Sequence, residues 1–283
     1  MTQDDSKPEI GRTMRAAHLS AQDFDGREIV KAGELIEARY ASGVSPSLAA
    51  RKTLALLIAK AAGDAWKRQS HRITKRELRG SHKGNERIPD ILDELMDVKF
   101  KVETIGARGR HAILTAALIA WNIEETDEED AAIVEWEFTE PARQVLLGSD
   151  YYARMNRAAL LAFDSKYAVT LYELGALLSG RRDPRWHGTI TQLREKLGVE
   201  PGKYRDWTDL KRKTLDQAKA EIDQLAHFVL TWKEKRQGRK VIEIELYFWP
   251  KPADDVNAAA EEVDRPRVGR RARRRGAVEE IAE

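Results

Sequence analysis

An α+β fold is predicted for the 283 residues of this chain by the order of its periodic segments. Within residues 163–249, helices are predicted over 165–178, 192–198 and 207–226 from apolar residues that recur at helical spacing. Two further segments, 228–233 and 241–249, follow as strands and are joined by a basic turn. Three helices, a strand, a basic turn and a second strand are the element order of a winged helix.

The first half of the chain repeats this order with different residues. Helices are predicted over 46–62, 73–78 and 89–97, and strands over 98–104, 112–121 and 133–138. The turns after the first strand of each half are also similar, since Arg108-Gly109-Arg110 corresponds to Gln237-Gly238-Arg239. We therefore predict two tandem winged-helix domains, residues 27–148 and 149–252, with the boundary at the break in the apolar pattern near Gly148.

Both ends of the chain are predicted to be disordered. Residues 1–26 are polar and have no sustained period, so we expect a flexible arm. Residues 253–283 contain no aromatic residue and few large aliphatic ones, so they bury too little apolar surface to offset the entropy of ordering. Seven arginines lie between residues 265 and 275. They either add sequence-independent affinity for nucleic acid or belong to a solvated tail without a role.

Charge is balanced over the whole chain but not locally. There are 49 Lys and Arg against 47 Asp and Glu, for a net charge of +2. Residues 124–130 are acidic, whereas residues 265–275 are mostly basic. A chain with a net charge near zero can bind a polyanion if its cations gather on one face. The absence of cysteine excludes disulfides and thiolate zinc sites and suits a reducing cytoplasm. Since no long apolar run or signal sequence is present, we expect a soluble cytoplasmic protein with no membrane contact.

The long helix of the second half carries the cations that best fit DNA. Asp206 is placed to cap it, and its buried stripe is predicted to be Trp207, Leu210, Thr214, Ala218, Ile222 and Leu225. Lys211, Arg212 and Lys213 lie near its start, where cations oppose the helix dipole, so helix stability does not explain them. A recognition helix enters the major groove with its N-terminal half, which is where these cations lie. The alternative is an ordinary solvated helix face.

Other cations are assigned to the DNA surface as well. Lys203 and Arg205 precede the helix, and the basic turn adds Lys235, Arg236, Arg239 and Lys240. Such wings commonly lie along the phosphate backbone or in the minor groove. In the first half, the predicted DNA-binding residues are Lys75, Arg76, Lys83, Arg87, Arg108 and Arg110.

Catalytic motifs are missing from the sequence. The six histidines are scattered and form neither a His-x-His nor a His-Glu-x-x-His pair, so no metal is expected. The segment from Gly198 to Lys203 resembles a phosphate-binding loop, but it is one residue short, contains Pro201 and has Tyr204 where Ser or Thr would bind magnesium. We interpret it as a turn between two helices. No enzyme activity and no cofactor are predicted.

A series of short motifs in the second half resembles a known family. The motifs are SKY (165–167), LYEL (171–174), LREKLGV (193–199), YRDWTDLK (204–211) and LDQA (215–218), and the closing strands continue the match. Together they resemble the iteron-binding replication initiators of theta-replicating plasmids. The resemblance covers roughly residues 27–252, through motifs in the second half and through element order in the first.

This resemblance implies two winged-helix domains that bind one repeated origin sequence in double-stranded DNA. The second domain would read bases, and Arg108 and Arg110 of the first domain would contact the backbone. Monomers would bind the origin repeats, and dimers formed through the first domain would repress the protein's own gene. Partners implied in the same way are the host initiator and the replicative helicase. The arginine-rich tail and the acidic 124–130 segment depart from the family pattern.

Two other functions remain compatible with the sequence. A winged-helix repressor could bind an inverted repeat without initiating replication. Alternatively, the winged helices could dock another protein, in which case the cations at residues 211–213 would be dispensable.

Overall fold

The computed structural model describes residues 10–23, 26–40, 45–79, 87–126 and 131–276. The first part of the chain contains α1 (Arg12–Asp23), β1 (Glu28–Ala32), α2 (Gly33–Glu37), β2 (Arg39–Tyr40), α3 (Leu48–Ala61), β3 (His71–Thr74), α4 (Lys75–Arg79), α5 (Ile88–Asp97), β4 (Lys99–Ile105), β5 (His111–Ala117), β6 (Ile119–Glu124), β7 (Ile133–Phe138) and α6 (Glu140–Gly148). A short 3-10 turn, Ala62–Asp64, follows α3. These elements surround one hydrophobic core, which includes Leu57, Leu92 and Trp136.

The second part surrounds another core, which includes Tyr172, Phe228 and Phe248. Its elements are β8 (Tyr152–Asn156), α7 (Arg157–Ala162), α8 (Lys166–Leu178), β9 (Arg185–Thr189), α9 (Ile190–Leu197), α10 (Trp207–Leu210), a π-helical turn (Lys211–Asp216), α11 (Gln217–Leu225), β10 (Phe228–Gln237), β11 (Lys240–Pro250), α12 (Ala253–Asp264) and α13 (Arg270–Arg274). We call the continuous helical run from Trp207 to Leu225 the reading helix, and the basic end of the β10–β11 hairpin, residues 235–240, the wing.

Each half contains a winged helix with the same sheet order. In the second half the order is β10-β11-β9, and in the first half it is β6-β7-β3. In both sheets the central strand is the last strand of the hairpin, and it pairs antiparallel with the strand that precedes the helix pair. By this equivalence α5 corresponds to the reading helix, and the β6–β7 hairpin corresponds to the β10–β11 hairpin.

The prediction that Arg108-Gly109-Arg110 forms the hairpin turn of the first winged helix is wrong. The turn at Arg108-Gly109-Arg110 joins β4 to β5, which form an additional hairpin paired with β2. The single strand predicted over 112–121 is divided near Leu118 into β5 and β6, which belong to different sheets. Gly109 and Gly238 have φ of 70° and 59°, so the two turns are similar because tight hairpins require a left-handed residue, not because they are equivalent in the fold.

The N-terminal segment is more ordered than predicted. Residues 12–23 form α1, in which Met14, Ala16 and Ala17 are buried in the first core. The hydroxyls of Thr13 and Ser149 share a hydrogen bond of 2.6 Å. The expectation of a flexible arm over 1–26 is therefore wrong for this helix, because a face made of alanine and methionine gives a weak apolar pattern. Residues 1–9 and 24–25 lie outside the described residues.

The C-terminal segment is also ordered, over Ala253–Asp264 and Arg270–Arg274. We call residues 253–276 the arginine clasp, because its guanidinium groups pair with carboxylates that are largely buried. Arg267 contacts Asp164, and Arg273 lies 2.8 Å from Glu262. The prediction of disorder, which rests on the low apolar content, is wrong for this segment, because ion pairs with Asp164 and Glu221 hold it in place. Residues 277–283 lie outside the described part of the chain.

A two-stranded ribbon joins the two domains. The strands β1 and β8 pair antiparallel from Glu28↔Asn156 to Ala32↔Tyr152. Successive side chains of a strand point to opposite faces, and accordingly Ile29 packs in the second core while Val30 packs in the first. The predicted domain boundary near residue 148 therefore does not separate the two halves completely, because β1 from before the boundary pairs with β8 from after it.

A buried ion pair crosses the same junction. Lys31 Nζ of β1 lies 2.7 Å from Glu173 Oε1 of α8, and both side chains are almost completely buried. Replacing Lys31 with Met is expected to lower the free energy of unfolding by about 3–5 kcal/mol, because Glu173 loses its partner in a buried site. The double replacement Lys31→Met/Glu173→Met is expected to recover most of that loss. Urea unfolding of both variants checks this, and equal losses for both would contradict it.

The ammonium of Lys196 lies in the same interface and donates to the carbonyl oxygen of Ile36 at 3.0 Å. Burial lowers the pKa of Lys196 to about 8. The pKa of lysine in the unfolded chain is ~10.4. Between these two pKa values the unfolded chain therefore binds more protons than the folded protein. The free energy of unfolding should rise with pH across that window. Relative to Lys196→Met, which lacks the titration, we expect the wild type to gain roughly 3 kcal/mol between pH 7 and 11. Parallel pH curves would refute this assignment.

Candidate DNA interface

The reading helix begins at a capped end and buries one side in the second core. Asp206 caps it, since its Oδ1 accepts from the Asp209 amide at 2.8 Å. The predicted stripe is confirmed, because Leu210, Thr214, Ala218, Ile222 and Leu225 are buried and Trp207 packs against them. Leu215 is also fully buried, which the helical spacing did not indicate.

The three predicted cations of this helix lie within its π-helical turn. Arg212 and Lys213 are exposed, and Arg212 Nη2 lies 2.6 Å from Asp209 Oδ1. Lys211 Nζ lies 3.9 Å from Glu234 Oε1 on β10. Because that contact joins the helix to the strand leading into the wing, the two basic elements lie next to each other.

The wing presents its cations at the end of a longer hairpin than predicted. The strands reach Gln237 and start again at Lys240. Two wing cations are paired along the strands: Lys235 with Glu243 at 2.9 Å, and Arg236 with Glu234 at 2.5 Å. Arg239 and Lys240 are exposed and form no ion pair with any described residue. Their charge is available to an anionic ligand.

The turn before the reading helix holds the two remaining predicted cations of this domain. Lys203 pairs with Glu200 at 2.7 Å, whereas Arg205 is exposed and has no ion-pair partner in the described part of the chain. The guanidinium of Arg194 donates to the carbonyl oxygens of Lys203 and Tyr204. This arginine, which sequence reasoning did not single out, fixes the turn. The interpretation of residues 198–203 as a turn between two helices agrees with the structure, in which Gly198 ends α9 with φ of 62°.

The predicted residues of the first domain do not gather into a comparable surface. Lys75 is only 4% exposed, and its ammonium lies 2.7 Å from Glu124, so assigning it to a DNA surface is wrong. Arg76 and Arg87 are exposed near α4 and α5, and Arg108 and Arg110 are exposed on the separate β4–β5 turn. Lys83 lies outside the described residues.

The first-domain elements that correspond to the reading helix and the wing expose acidic residues, whereas the reading helix and the wing themselves expose basic ones. The exposed residues of α5 include Asp90, Asp93 and Asp97, which lie on one side of the helix. In the hairpin equivalent to the wing, the exposed Glu125 follows β6, whereas the carboxylate of Glu124 is paired with Lys75. Like charges would repel DNA phosphates from this face, so the second domain has the better surface for DNA.

No helix in the described ranges is both long enough and apolar enough to cross a membrane. No three His, Asp or Glu side chains there lie close enough together to hold a metal ion.

Comparison with known proteins agrees with this architecture. Residues 28–176 match the family model described as initiator replication protein, WH1, and residues 189–248 match initiator Rep protein, WH2. The crystal structure of Pi initiator protein in complex with iteron DNA aligns with a TM-score of 0.60 and 19% sequence identity, covering 80% of this chain and 98% of that one. Domains 2 and 3 of RctB align with a TM-score of 0.41 and 10% identity, over 78% of this chain and 85% of theirs.

No curated protein sequence matches the chain significantly. The likeness to Pi shows a shared fold, and the two family matches together span well over half of the chain in the order of the two winged helices. The chain belongs to the family of initiator replication proteins, with a WH1 domain followed by a WH2 domain.

Proposed function

We propose that this protein is a plasmid replication initiator that binds direct repeats (iterons) at an origin, helps to open the duplex and recruits host replication proteins. It acts in the bacterial cytoplasm by binding alone, with no catalytic chemistry of its own. The observation that carries the proposal is the single basic surface formed by the reading helix and the wing in a chain of the initiator family.

Three further arguments support double-stranded DNA as the ligand. The Pi initiator, which shares the fold, was crystallised with iteron DNA. A helix with cations in its N-terminal half suits the major groove. Arg205, just before the helix, and Arg239 and Lys240 of the wing form no ion pair with a described residue, and their contacts to phosphates would set the register of the helix.

Contacts to bases and contacts to phosphates are expected to respond differently to substitution. Arg212→Ala should weaken binding to the repeat by about 1–3 kcal/mol and relax base preference at one position, because a guanidinium can bond two acceptors of guanine. Arg239→Ala should weaken binding to repeat and random DNA alike and reduce the salt slope. Titrations of both duplexes at several salt concentrations separate these outcomes. If both variants bind like the wild type, the interface lies elsewhere.

Dimerisation through the first domain, with repression of the protein's own gene, is part of the proposal and follows from the family resemblance. The same resemblance suggests the host initiator and the replicative helicase as partners. A repressor that binds an inverted repeat is the second candidate, since the same basic surface would serve it.

Plasmid maintenance distinguishes these two functions. The gene and its flanking DNA are placed on a plasmid whose only other origin is inactive in the test host. We expect stable maintenance with the wild type and its loss with Arg212→Ala. Binding and repression at the flanking DNA without any maintenance would instead identify a repressor.

A further inference from the structure

The reading helix departs from α-helical geometry within one turn. Residues 207–210 and 217–225 are α-helical, whereas Lys211–Asp216 is π-helical. Such turns are rare, occur mostly as single turns inside α-helices and are frequent at functional sites. Three of the four cations of the helix, Lys211, Arg212 and Lys213, lie in this turn, so the irregular backbone and most of the helix's positive charge coincide.

A buried hydroxyl supports the wide turn. Thr214 is fully buried, and its Oγ1 donates to the carbonyl oxygen of Leu210 at 2.7 Å. A threonine that donates to the carbonyl four residues earlier tends to bend or loosen an α-helix. At this position the hydroxyl therefore favours the wider turn over regular α-helical geometry.

The wide turn changes which side chains face outwards. Consecutive residues are about 100° apart around an α-helix, and roughly 80° apart in a turn closed by bonds five residues apart. Here the neighbours Thr214 and Leu215 are both fully buried, while the neighbours Arg212 and Lys213 are both exposed. The turn thus keeps two successive residues in the core and presents two successive cations on the opposite side.

We propose that this π-helical turn sets the base specificity of DNA binding and that Thr214 is the positioning residue that maintains it. The inference rests on the proposed function, because it assumes that the basic surface reads a duplex. Bidentate recognition of a base by arginine depends on the direction of the guanidinium. Since Leu215 and Ala218 anchor the following part of the helix in the core, the turn fixes the angle at which Arg212 and Lys213 leave it.

The experiment compares two threonines that make the same local bond. Thr170 of α8 is 6% exposed, and its Oγ1 donates to the Lys166 carbonyl oxygen at 3.0 Å within a regular α-helix. Thr214→Val and Thr170→Val each remove one such bond, whereas Thr214→Ser retains the hydroxyl. The probes are a duplex that the wild-type full chain enriches from a random-sequence pool and a scrambled duplex of the same composition.

We expect Thr214→Val to reduce the ratio of the affinity for the enriched duplex to that for the scrambled duplex roughly tenfold. The misdirected guanidinium of Arg212 would lose its base contact, whereas attraction to the phosphates would persist. Thr214→Ser and Thr170→Val should keep the wild-type ratio, even where thermal unfolding shows that Thr170→Val is less stable. A purely structural role of Thr214 would leave the ratio unchanged and would overturn the inference.

Deletion of Asp216 is a second test that does not depend on whether Thr214→Val folds. Asp216 is exposed at the end of the turn, and losing one residue there should allow a regular α-helix. We expect the deletion variant to bind both duplexes with similar affinity, and wild-type discrimination in this variant would overturn the inference. If the wild type itself enriches no sequence from the pool, the proposed function fails rather than the role of the turn.

Discussion

Reversing the charge of Lys211, Arg212 and Lys213 to Glu is expected to abolish binding to the repeat, with a loss of roughly 100-fold or more. Three cations leave the part of the helix that we propose faces DNA, and three carboxylates would then repel the phosphates. The helix itself should not unfold, because acidic residues near its N-terminal end favour the helix dipole. Gel-shift titration at moderate salt measures the loss, and circular dichroism verifies the fold.

The matched control reverses three exposed cations of the first domain, Arg15, Lys67 and Arg68. It changes the net charge by the same amount. If both triple variants lose the same affinity, overall charge rather than the reading helix governs binding. If neither loses affinity, the winged helices dock something other than DNA.

Replacing Glu262 with Ala is expected to lower the free energy of unfolding by about 3–5 kcal/mol, because it leaves cations of the arginine clasp without their carboxylate. Arg273 donates to both oxygens of Glu262, and Arg270, only 4% exposed, lies 3.5 Å from it. Although burial opposes its ionisation, Arg273 and the other cations of the clasp lower the pKa of Glu262.

The neighbouring Glu261→Ala is the control. Glu261 is exposed and forms no ion pair within the described ranges, so we expect a change within about 0.5 kcal/mol. Urea unfolding of the two variants provides the comparison. Equal stability of both would show that the clasp contributes nothing to the second domain.

Where the determinants are local in sequence, the predictions agree with the structure. The stripe from Leu210 to Leu225, the cap at Asp206 and the alternation of the closing strands each depend on residues a few positions apart. These signals sufficed to place the reading helix and the wing, and with them most of the candidate site. They did not indicate that Arg194 fixes the turn before the helix, because the acceptors are backbone carbonyls ten or fewer residues away that carry no sequence signal.

The predictions failed where distant partners decide the structure. Apolar residues continue from Ala112 to Trp121, and only pairing with β4 on one side and β7 on the other divides them into two strands. Lys75 looked available for DNA, although Glu124, far along the chain, binds it. The arginine clasp is ordered by Asp164, Glu221 and Glu262, and the first two lie far from the clasp in the sequence. Local patterns contain none of this information.

Hydroxyl-radical footprinting of the full chain on the DNA that flanks its own gene tests the central claim most directly. At moderate salt we expect protected blocks that recur at the spacing of a direct repeat, one block for each repeat, and their loss with Arg212→Ala. Uniform protection without a repeat, or none at a concentration that binds random DNA, would contradict the claim that the second winged helix reads an origin sequence.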